Sequence, residues 1–336
     1  MKCSQEIVQE ILGAEKIVIT SHKSPDGDSV GSSLGMLRFI QALGKKATIC
    51  HPDACPEFIE WLKNKDEIIE FDSEPDRATS EMMAADLLFC LDYNGSGRLG
   101  KEMGAVLLAT TAKKIMIDHH PEPEDIFDLS VSHPEVCSTS QLIVELILES
   151  GNESLLNQAI GTPLYLGIVT DTGSFRFSSV TPRTHEIISA LLKNGVKQAE
   201  IHEKTFDHNR LDKMKLRGYA IAERLEVLPK YKLAIVSLSE VDLERFNYVK
   251  GDTEGLVNVA LSIEGVEVAV MLTEDDGKVK MSFRSMGDIV VNTFARDHFE
   301  GGGHMNAAGG ISFLSLDETI DQIKTFAPAY FGKPHA

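Results

Sequence analysis

Three short apolar runs, each ending abruptly in polar side chains capable of chemistry, restrict this chain more than any other feature. Lys16-Ile17-Val18-Ile19-Thr20 runs into Ser21-His22, Asp86-Leu87-Leu88-Phe89-Cys90-Leu91 into Asp92, and Lys114-Ile115-Met116-Ile117 into Asp118-His119-His120. Runs of this length with no polar face read as strands buried on both sides, the situation in a parallel sheet. The stretch after the first, residues 30–43, has helical periodicity and stops at Gly44, and residues 98–111 are helical before the third. Strands alternating with helices predict an α/β fold. In such open sheets ligands bind outside the carboxyl ends of the strands, so all three polar termini belong to one functional rim.

The rest of the first half continues the pattern. Residues 45–51 read as a strand, 56–62 as the start of a helix, 73–80 as a polar stretch, and the segment past Pro121-Glu122-Pro123 as an acidic loop. In residues 139–150, Leu142, Ile143, Leu146 and Ile147 fall at helical spacing, with Gly151 as the stop. A second apolar helix, 155–169, delivers Thr170-Asp171-Thr172-Gly173, and Thr181-Pro182-Arg183-Thr184 caps a third that Gly195 ends.

Residues 196–228 are polar and helical, the expected connector between domains. Beyond Tyr231 the sequence predicts a strand at 233–238, helices at 241–246 and 253–263, and strands at 266–272 and 279–283 joined by the turn Asp275-Asp276-Gly277. A helix at 289–298, the glycine-rich Gly301-Gly302-Gly303-His304 and Gly309-Gly310, and a helix at 316–326 complete the pattern. The expected architecture is therefore two α/β domains. Residues 1–195 would form a Rossmann-like, mostly parallel sheet flanked by helices, residues 196–228 a helical connector, and residues 229–336 a smaller α/β domain with a mixed sheet.

Composition narrows the function. With 43% hydrophobic and 25% charged residues, the chain of 336 has the make-up of a soluble globular protein long enough for two domains. No apolar stretch approaches the ~20 residues of a spanning helix, and residues 1–5 are polar, so the expectation is a cytoplasmic protein without a membrane partner. The five cysteines, Cys3, Cys50, Cys55, Cys90 and Cys137, contain no Cys-x2-Cys pair, which argues against thiolate zinc and a disulfide framework; Cys90, inside an apolar run, reads as core. A net charge of −18 opposes long duplex nucleic acid but not a small anion held in a locally positive pocket.

Collected from the ends of apolar elements, His22, Asp26, Asp28, Asp92, Asp118, His119, His120 and Asp171 form a candidate constellation. Singly, an Asp after a strand is more often a turn former or a helix cap than a ligand. Together, so many carboxylates at one rim need divalent cations to relieve their repulsion. The His22-x3-Asp26-x-Asp28 spacing, bent by Pro25 and Gly27, directs its two carboxylates to different points and so suggests two ions. Oxygen-rich donors with imidazoles suit Mn²⁺ or Mg²⁺ rather than zinc or copper, and the histidines favour Mn²⁺.

The motifs His22-Lys23-Ser24-Pro25-Asp26-Gly27-Asp28-Ser29, Asp92, Asp118-His119-His120 and Thr170-Asp171-Thr172-Gly173 resemble, in order, the four signature motifs of the DHH phosphoesterase superfamily. Phe283-Arg284-Ser285 and Gly301-Gly302-Gly303-His304 are similar to the substrate-binding segments of its DHH-associated C-terminal domain. Thr172-Gly173-Ser174-Phe175-Arg176-Phe177 with Thr181-Pro182-Arg183-Thr184-His185 is most similar to the nanoRNase group, oligoribonucleases that are also 3′-phosphoadenosine 5′-phosphate phosphatases.

The resemblance implies that His22, Asp26 and Asp92 hold one metal while Asp28, Asp92, His119 and Asp171 hold the other, Asp92 bridging. It implies that Asp118 orients a metal-bound histidine, that His120 faces the substrate phosphate, and that Arg284, Gly302, Gly303 and His304 bind substrate across the interdomain cleft. The implied activity is Mn-dependent release of mononucleotides from short oligoribonucleotides and hydrolysis of 3′-phosphoadenosine 5′-phosphate, by two-metal activation of water. Hydrolysis of a linear or cyclic dinucleotide needs the same parts. Exopolyphosphatase or pyrophosphatase activity would call for clustered Lys and Arg where the second half shows isolated Arg284 and Arg296. The expected partners are short oligoribonucleotides or small nucleotides, and a homodimer is left open.

Overall fold

The three apolar runs are adjacent central strands of one sheet. The computed structural model describes residues 3–64 and 67–331. Met1, Lys2 and residues 332–336, the outer ends of the two expected domains, lie outside the described residues. The chain divides into two units, Met1–His208 and Asn209–Ala336.

The first unit runs α1 (Ser4–Gly13), β1 (Ile17–Thr20), α2 (Gly27–Ala42), β2 (Ala47–His51), β3 (Ile68–Glu70), α3 (Pro75–Met83), β4 (Leu87–Leu91), α4 (Lys101–Ala109), β5 (Lys113–Asp118), β6 (Leu129–Ser132), α5 (Thr139–Glu149), α6 (Gln158–Asp171), α7 (Pro182–Lys193) and α8 (Gln198–Phe206). The sheet order is β3-β2-β1-β4-β5-β6, every neighbouring pair parallel. Strand order therefore reverses between β1 and β4, and doubly wound folds bind ligands at the carboxyl end of that reversal.

β1 and β4 are buried at every residue. Alternation sends Ile17, Ile19, Phe89 and Ile117 into the layer shared with α2, α5 and α6, and Val18, Leu88, Cys90 and Met116 into the layer shared with α3 and α4. Cys90 is a core residue, as expected. The helices α2 and α6 approach closely because Gly31 and Gly35 sit on the facing side of α2. A Cβ at Gly31 would collide with the Pro163 carbonyl oxygen, and one at Gly35 with the Leu164 side chain. Pro163 lies inside α6 and cannot donate to the preceding turn; the Arg38 guanidinium serves Ala159 instead, donating to its carbonyl at 2.9 Å.

The second unit contains α9 (Leu211–Glu223), β7 (Leu225–Leu228), β8 (Leu233–Leu238), α10 (Glu240–Arg245), α11 (Leu256–Leu261), β9 (Val268–Asp275), β10 (Lys278–Ser285), α12 (Val291–His298), β11 (Gly302–His304), β12 (Ala307–Ser312) and α13 (Leu316–Phe331). Its sheet, β11-β12-β10-β9-β8-β7, is mixed: β8 and β9 pair in parallel, the others antiparallel. The β9–β10 hairpin turns on Asp276 (φ 51°) and Gly277 (φ 73°), the two positive-φ positions that Asp-Gly supplies.

The structure differs from the sequence expectation at several elements. Residues 57–62 are a 3-10 helix, the polar stretch after Ser73 contains α3, and the acidic loop leads into β6. The 196–228 stretch holds α8 in the first unit and α9 with the edge strand β7 in the second, the division between units falling after His208. Among the described residues no helix is long and apolar enough to cross a membrane.

Candidate active site

The site assembles at the switch point from five segments. His22 follows β1, Asp92 follows β4, and Asp118 ends β5 with His119 and His120 next. Asp26 caps α2, whose first turn carries Asp28, and Asp171 is the last residue of α6. Asp26 Oδ1 accepts from the backbone N–H groups of Asp28 and Ser29, both at 3.0 Å, while the Ser29 hydroxyl returns the contact to the Asp26 N–H at 2.9 Å. This capping box leaves Oδ2 to face His22 Nε2 at 3.7 Å. Asp92 sits in the left-handed region (φ 64°), which Asp tolerates better than most residues, and its N–H donates to the Ile117 carbonyl at 3.1 Å.

Three groups of donor atoms, each mutually within 4.8 Å, emerge: His22, Asp26 and Asp92; Asp28, His119 and Asp171; and Asp92, His119 and His120. Asp26 and Asp28 thus serve different groups, and the third group shares Asp92 with the first and His119 with the second. His22 Nδ1–H donates to the Lys23 carbonyl at 2.9 Å and His119 Nδ1–H to the Val136 carbonyl at 3.2 Å. Both rings therefore turn Nε2 inward, His22 to 3.4 Å from Asp92 Oδ2 and His119 to 3.5 Å from Asp92 Oδ1 and 3.3 Å from Asp171 Oδ2. A ring anchored through Nδ1–H on a carbonyl, with Nε2 turned inward among carboxylates, is oriented to ligate a metal through Nε2.

The electrostatics agree. Burial, with Asp28, Asp26 and Asp118 close by, pushes the Asp92 carboxyl well above the usual carboxylate range. Burial also raises Asp28, against the pull of His119 and Ser140. For Asp26, burial is outweighed by His22 and the backbone N–H groups, which leave it below its ordinary value. Burial lowers His119, keeping its imidazole neutral. Carboxylates held this close without countercharge oppose one another, and the oxygen and imidazole donors at this spacing fit divalent cations.

Asp118, expected to orient a metal-bound histidine, accepts from His120 Nδ1–H at 2.7 Å, and His120 is itself a member of the third donor group. Burial works against that carboxylate, but the His120 bond and charge outweigh it and hold Asp118 below the usual range. The pairing follows from direction: Asp118 and His120 are two residues apart at the strand end and project together, while His119 turns toward Asp28, Asp92 and Asp171.

Sequence reasoning missed Thr139 and Ser140. The first two N–H groups of α5 bind the Asp28 carboxylate, Thr139 N–H to Oδ2 at 2.7 Å and Ser140 N–H to Oδ1 at 2.9 Å, and the Thr139 hydroxyl donates to Asp92 Oδ1 at 3.0 Å. A helix N-terminus suits this, since its free N–H groups and dipole favour an anion. The available signal was the hydroxyl run Ser138-Thr139-Ser140 opening an apolar helix, all of it buried.

In the second unit Arg284 on β10 and His304 on β11 both pair with Ala307 of β12, one from each side. Directly opposed residues project to the same face, so the guanidinium and imidazole share one face of that sheet, two strands apart. The Arg284 Nη1 donates to the Phe283 carbonyl at 2.9 Å. Gly303 (φ 137°) has no room for a side chain, because a Cβ would lie 2.5 Å from the Ala307 carbonyl oxygen; its own carbonyl accepts from Asn292 Nδ2 at 3.1 Å, and Gly302 is open.

Residues 16–168 match the DHH family, N-terminal domain, and residues 231–331 the DHHA1 domain. The bifunctional oligoribonuclease and PAP phosphatase NrnA of Thermus thermophilus is 31% identical, covering 94% of this chain and 91% of its own. The cyclic-di-AMP phosphodiesterase GdpP of Bacillus subtilis is 28% identical over 97% of this chain and 49% of its own length. A crystal structure of an exopolyphosphatase-related protein from Bacteroides fragilis superposes with a TM-score of 0.93 at 35% identity, covering 98% of both chains. With both domains in this order and a relative matched over nearly its whole length, the chain belongs to the DHH family of phosphoesterases and carries a DHHA1 domain after its DHH domain.

Proposed function

We propose that this protein is a divalent-metal-dependent phosphoesterase that releases mononucleotides from the end of short oligoribonucleotides and hydrolyses 3′-phosphoadenosine 5′-phosphate. The observation that carries the reading is Asp92, one buried carboxylate common to two donor groups at the switch point. Its support in known proteins is the near full-length likeness to NrnA. His22, Asp26 and Asp92 are proposed to hold one cation and Asp28, Asp92, His119 and Asp171 the other, with Mn²⁺ preferred over Mg²⁺ because imidazoles take part. Such ions supply Lewis-acid polarisation of a phosphate oxygen and an acidified water.

The chain's own residues do the rest. Asp118 fixes the His120 proton on Nδ1, which leaves Nε2 to exchange a proton with the substrate's oxygens. Thr139 and Ser140 hold Asp92 and Asp28 in place. In the second unit, Arg284 and His304 are proposed to bind substrate phosphate, a task planar guanidinium donors suit, with Gly302 and Gly303 allowing close backbone approach. The charge of −18 favours short substrates over long ones.

The GdpP likeness favours, as second reading, a linear or cyclic dinucleotide phosphodiesterase. One assay separates them: purified protein with Mn²⁺ or Mg²⁺ is given di- to pentaribonucleotides, 3′-phosphoadenosine 5′-phosphate, linear and cyclic diadenylate, and polyphosphate. Mononucleotide from the oligomers and inorganic phosphate from the phosphoadenosine compound are expected. Turnover of the cyclic dinucleotide alone would select the second reading, and no mononucleotide with either cation would end the first.

A further inference from the structure

The segment after Asp171 has an unusual backbone that the metal site does not explain. Gly173, Ser174 and Phe175 are three consecutive residues with positive φ, 55°, 60° and 64°. For a bulky residue such as Phe this is an outlier, and such conformations persist only where surrounding structure over-determines them. Here Thr172, fully buried, organises the turn: its hydroxyl accepts from the Phe175 N–H at 3.1 Å, and its carbonyl from the N–H groups of Arg176 at 2.9 Å and Phe177 at 3.2 Å. The Ser174 N–H reaches back to the Val169 carbonyl at 2.8 Å. The Phe175 ring packs between Tyr165 and His185, with centroids 6.4 and 5.5 Å away.

This turn presents Phe177. The ring lies directly over Gly173, where a Cβ would come within 2.5 Å of Cζ, so glycine is needed there both for its φ and to let the ring settle. Arg176 Nε donates to the Gly173 carbonyl at 2.6 Å and clasps the same turn. Phe177 is nonetheless 41% exposed. Among the described residues of the first unit, Phe177 and Phe206 are the exposed aromatic rings, and Phe206 packs on His202 of its own helix. A half-exposed ring seated over Gly173 by a strained turn, six residues past Asp171, has the character of a platform rather than of core.

We propose that Phe177 is a substrate-positioning residue, a stacking platform for a nucleobase of the substrate whose phosphate lies at the Asp171 group. The inference rests on the phosphoesterase reading above and adds the base contact that reading lacks. Every base has a π-face, so stacking grips a nucleotide without selecting its sequence, which suits an enzyme that degrades short RNAs of any sequence. Anchoring by Phe175 means the ring is positioned before substrate arrives.

The test compares wild type, Phe177→Ala and Phe177→Trp on linear diadenylate, on diuridylate and on an abasic analogue of the same backbone, and measures AMP affinity by calorimetry. Stacking is worth enough that Phe177→Ala should raise KM for diadenylate about tenfold or more, with kcat within about twofold. KM for the abasic analogue should stay unchanged, diuridylate should lose less than diadenylate, AMP affinity should fall in parallel, and Trp should restore both. Equal loss on the abasic analogue, a fall in kcat with KM intact, or unchanged KM and AMP affinity would each overturn the proposal. If wild type cleaved none of the diesters while AMP binding still depended on Phe177, the phosphoesterase reading would fail and the platform would stand; loss of neither turnover nor AMP binding would sink the platform alone.

Discussion

Asp92→Asn separates a metal site from an ordinary buried carboxylate cluster. The amide keeps an oxygen for the Thr139 hydroxyl, bonded at 3.0 Å in the wild type, and nearly the same volume. It removes a negative charge whose ligand oxygen lies within 4.8 Å of that of Asp26. At an effective dielectric of about 20, two full charges at that separation repel by about 3.5 kcal/mol. Burial and the neighbouring carboxylates push Asp92 well above the usual carboxylate range, so the fold without cations gains from losing that charge. Without cations the variant should therefore melt at or above the wild-type temperature. Adding Mn²⁺ reverses the order. At a cation concentration a hundred times Kd the wild type gains about 2.7 kcal/mol for each occupied site, or about 5 to 11 °C per site for a unit of this size, whereas the variant, lacking the carboxylate proposed to ligate both cations, should gain little. Calorimetric melting over a cation titration reads both effects. A variant that melts well below wild type in chelator, or that keeps the full Mn²⁺-induced shift, would refute the reasoning.

Thr139→Val removes the hydroxyl bond to Asp92 but leaves the N–H to Asp28, so cation affinity should fall about tenfold to a hundredfold, the worth of a hydrogen bond to a charged group, and Thr139→Ser should recover it. Asp118→Asn should lower kcat about a hundredfold or more while the Mn²⁺-induced stabilisation persists, because Asp118 bonds His120 rather than His119, the proposed ligand. In the second unit, burial of Asp242 is outweighed by bonds from Arg224, Ser239 and Tyr219 that bring its carboxyl down to about 2 from 3.8. A depressed carboxyl stabilises the fold above its unfolded pKa and loses that effect as pH falls through its folded one, so the stability lead over Asp242→Asn should shrink by about 2 kcal/mol between pH 5 and pH 2, followed by amide exchange in β8. Gly31→Ala should destabilise by about 1 to 3 kcal/mol in chemical denaturation, since the Pro163 carbonyl occupies the Cβ position.

How much of this was legible in the sequence follows from where information is stored along a chain. β1, β4 and β5 could be read because strands buried on both faces leave an uninterrupted apolar run. β6 escaped notice because it is an edge strand in which only Val131 is buried, and β7 because it is an edge strand with no buried residue at all. In α3 only Ala78 and Met82 are buried, too little apolar periodicity to outweigh its polar composition, although Pro75 at its start was a usable signal. The candidate ligands were legible because their side-chain chemistry is rare at strand ends in such number. What Asp118 bonds was not, since a choice between adjacent imidazoles is made by side-chain direction at the end of β5. The work of Thr139 depends on where the N-terminus of α5 meets α2, a contact across 111 residues that no local pattern encodes.

The central claim, that the site around Asp92 hydrolyses the ends of short RNAs with the help of divalent cations, is tested most directly by product analysis of a triadenylate digest. With Mn²⁺ the wild type should yield AMP stepwise through the dinucleotide, and chelator or Asp92→Asn should abolish it. No AMP from the wild type, or AMP production indifferent to both chelator and Asp92→Asn, would contradict the account.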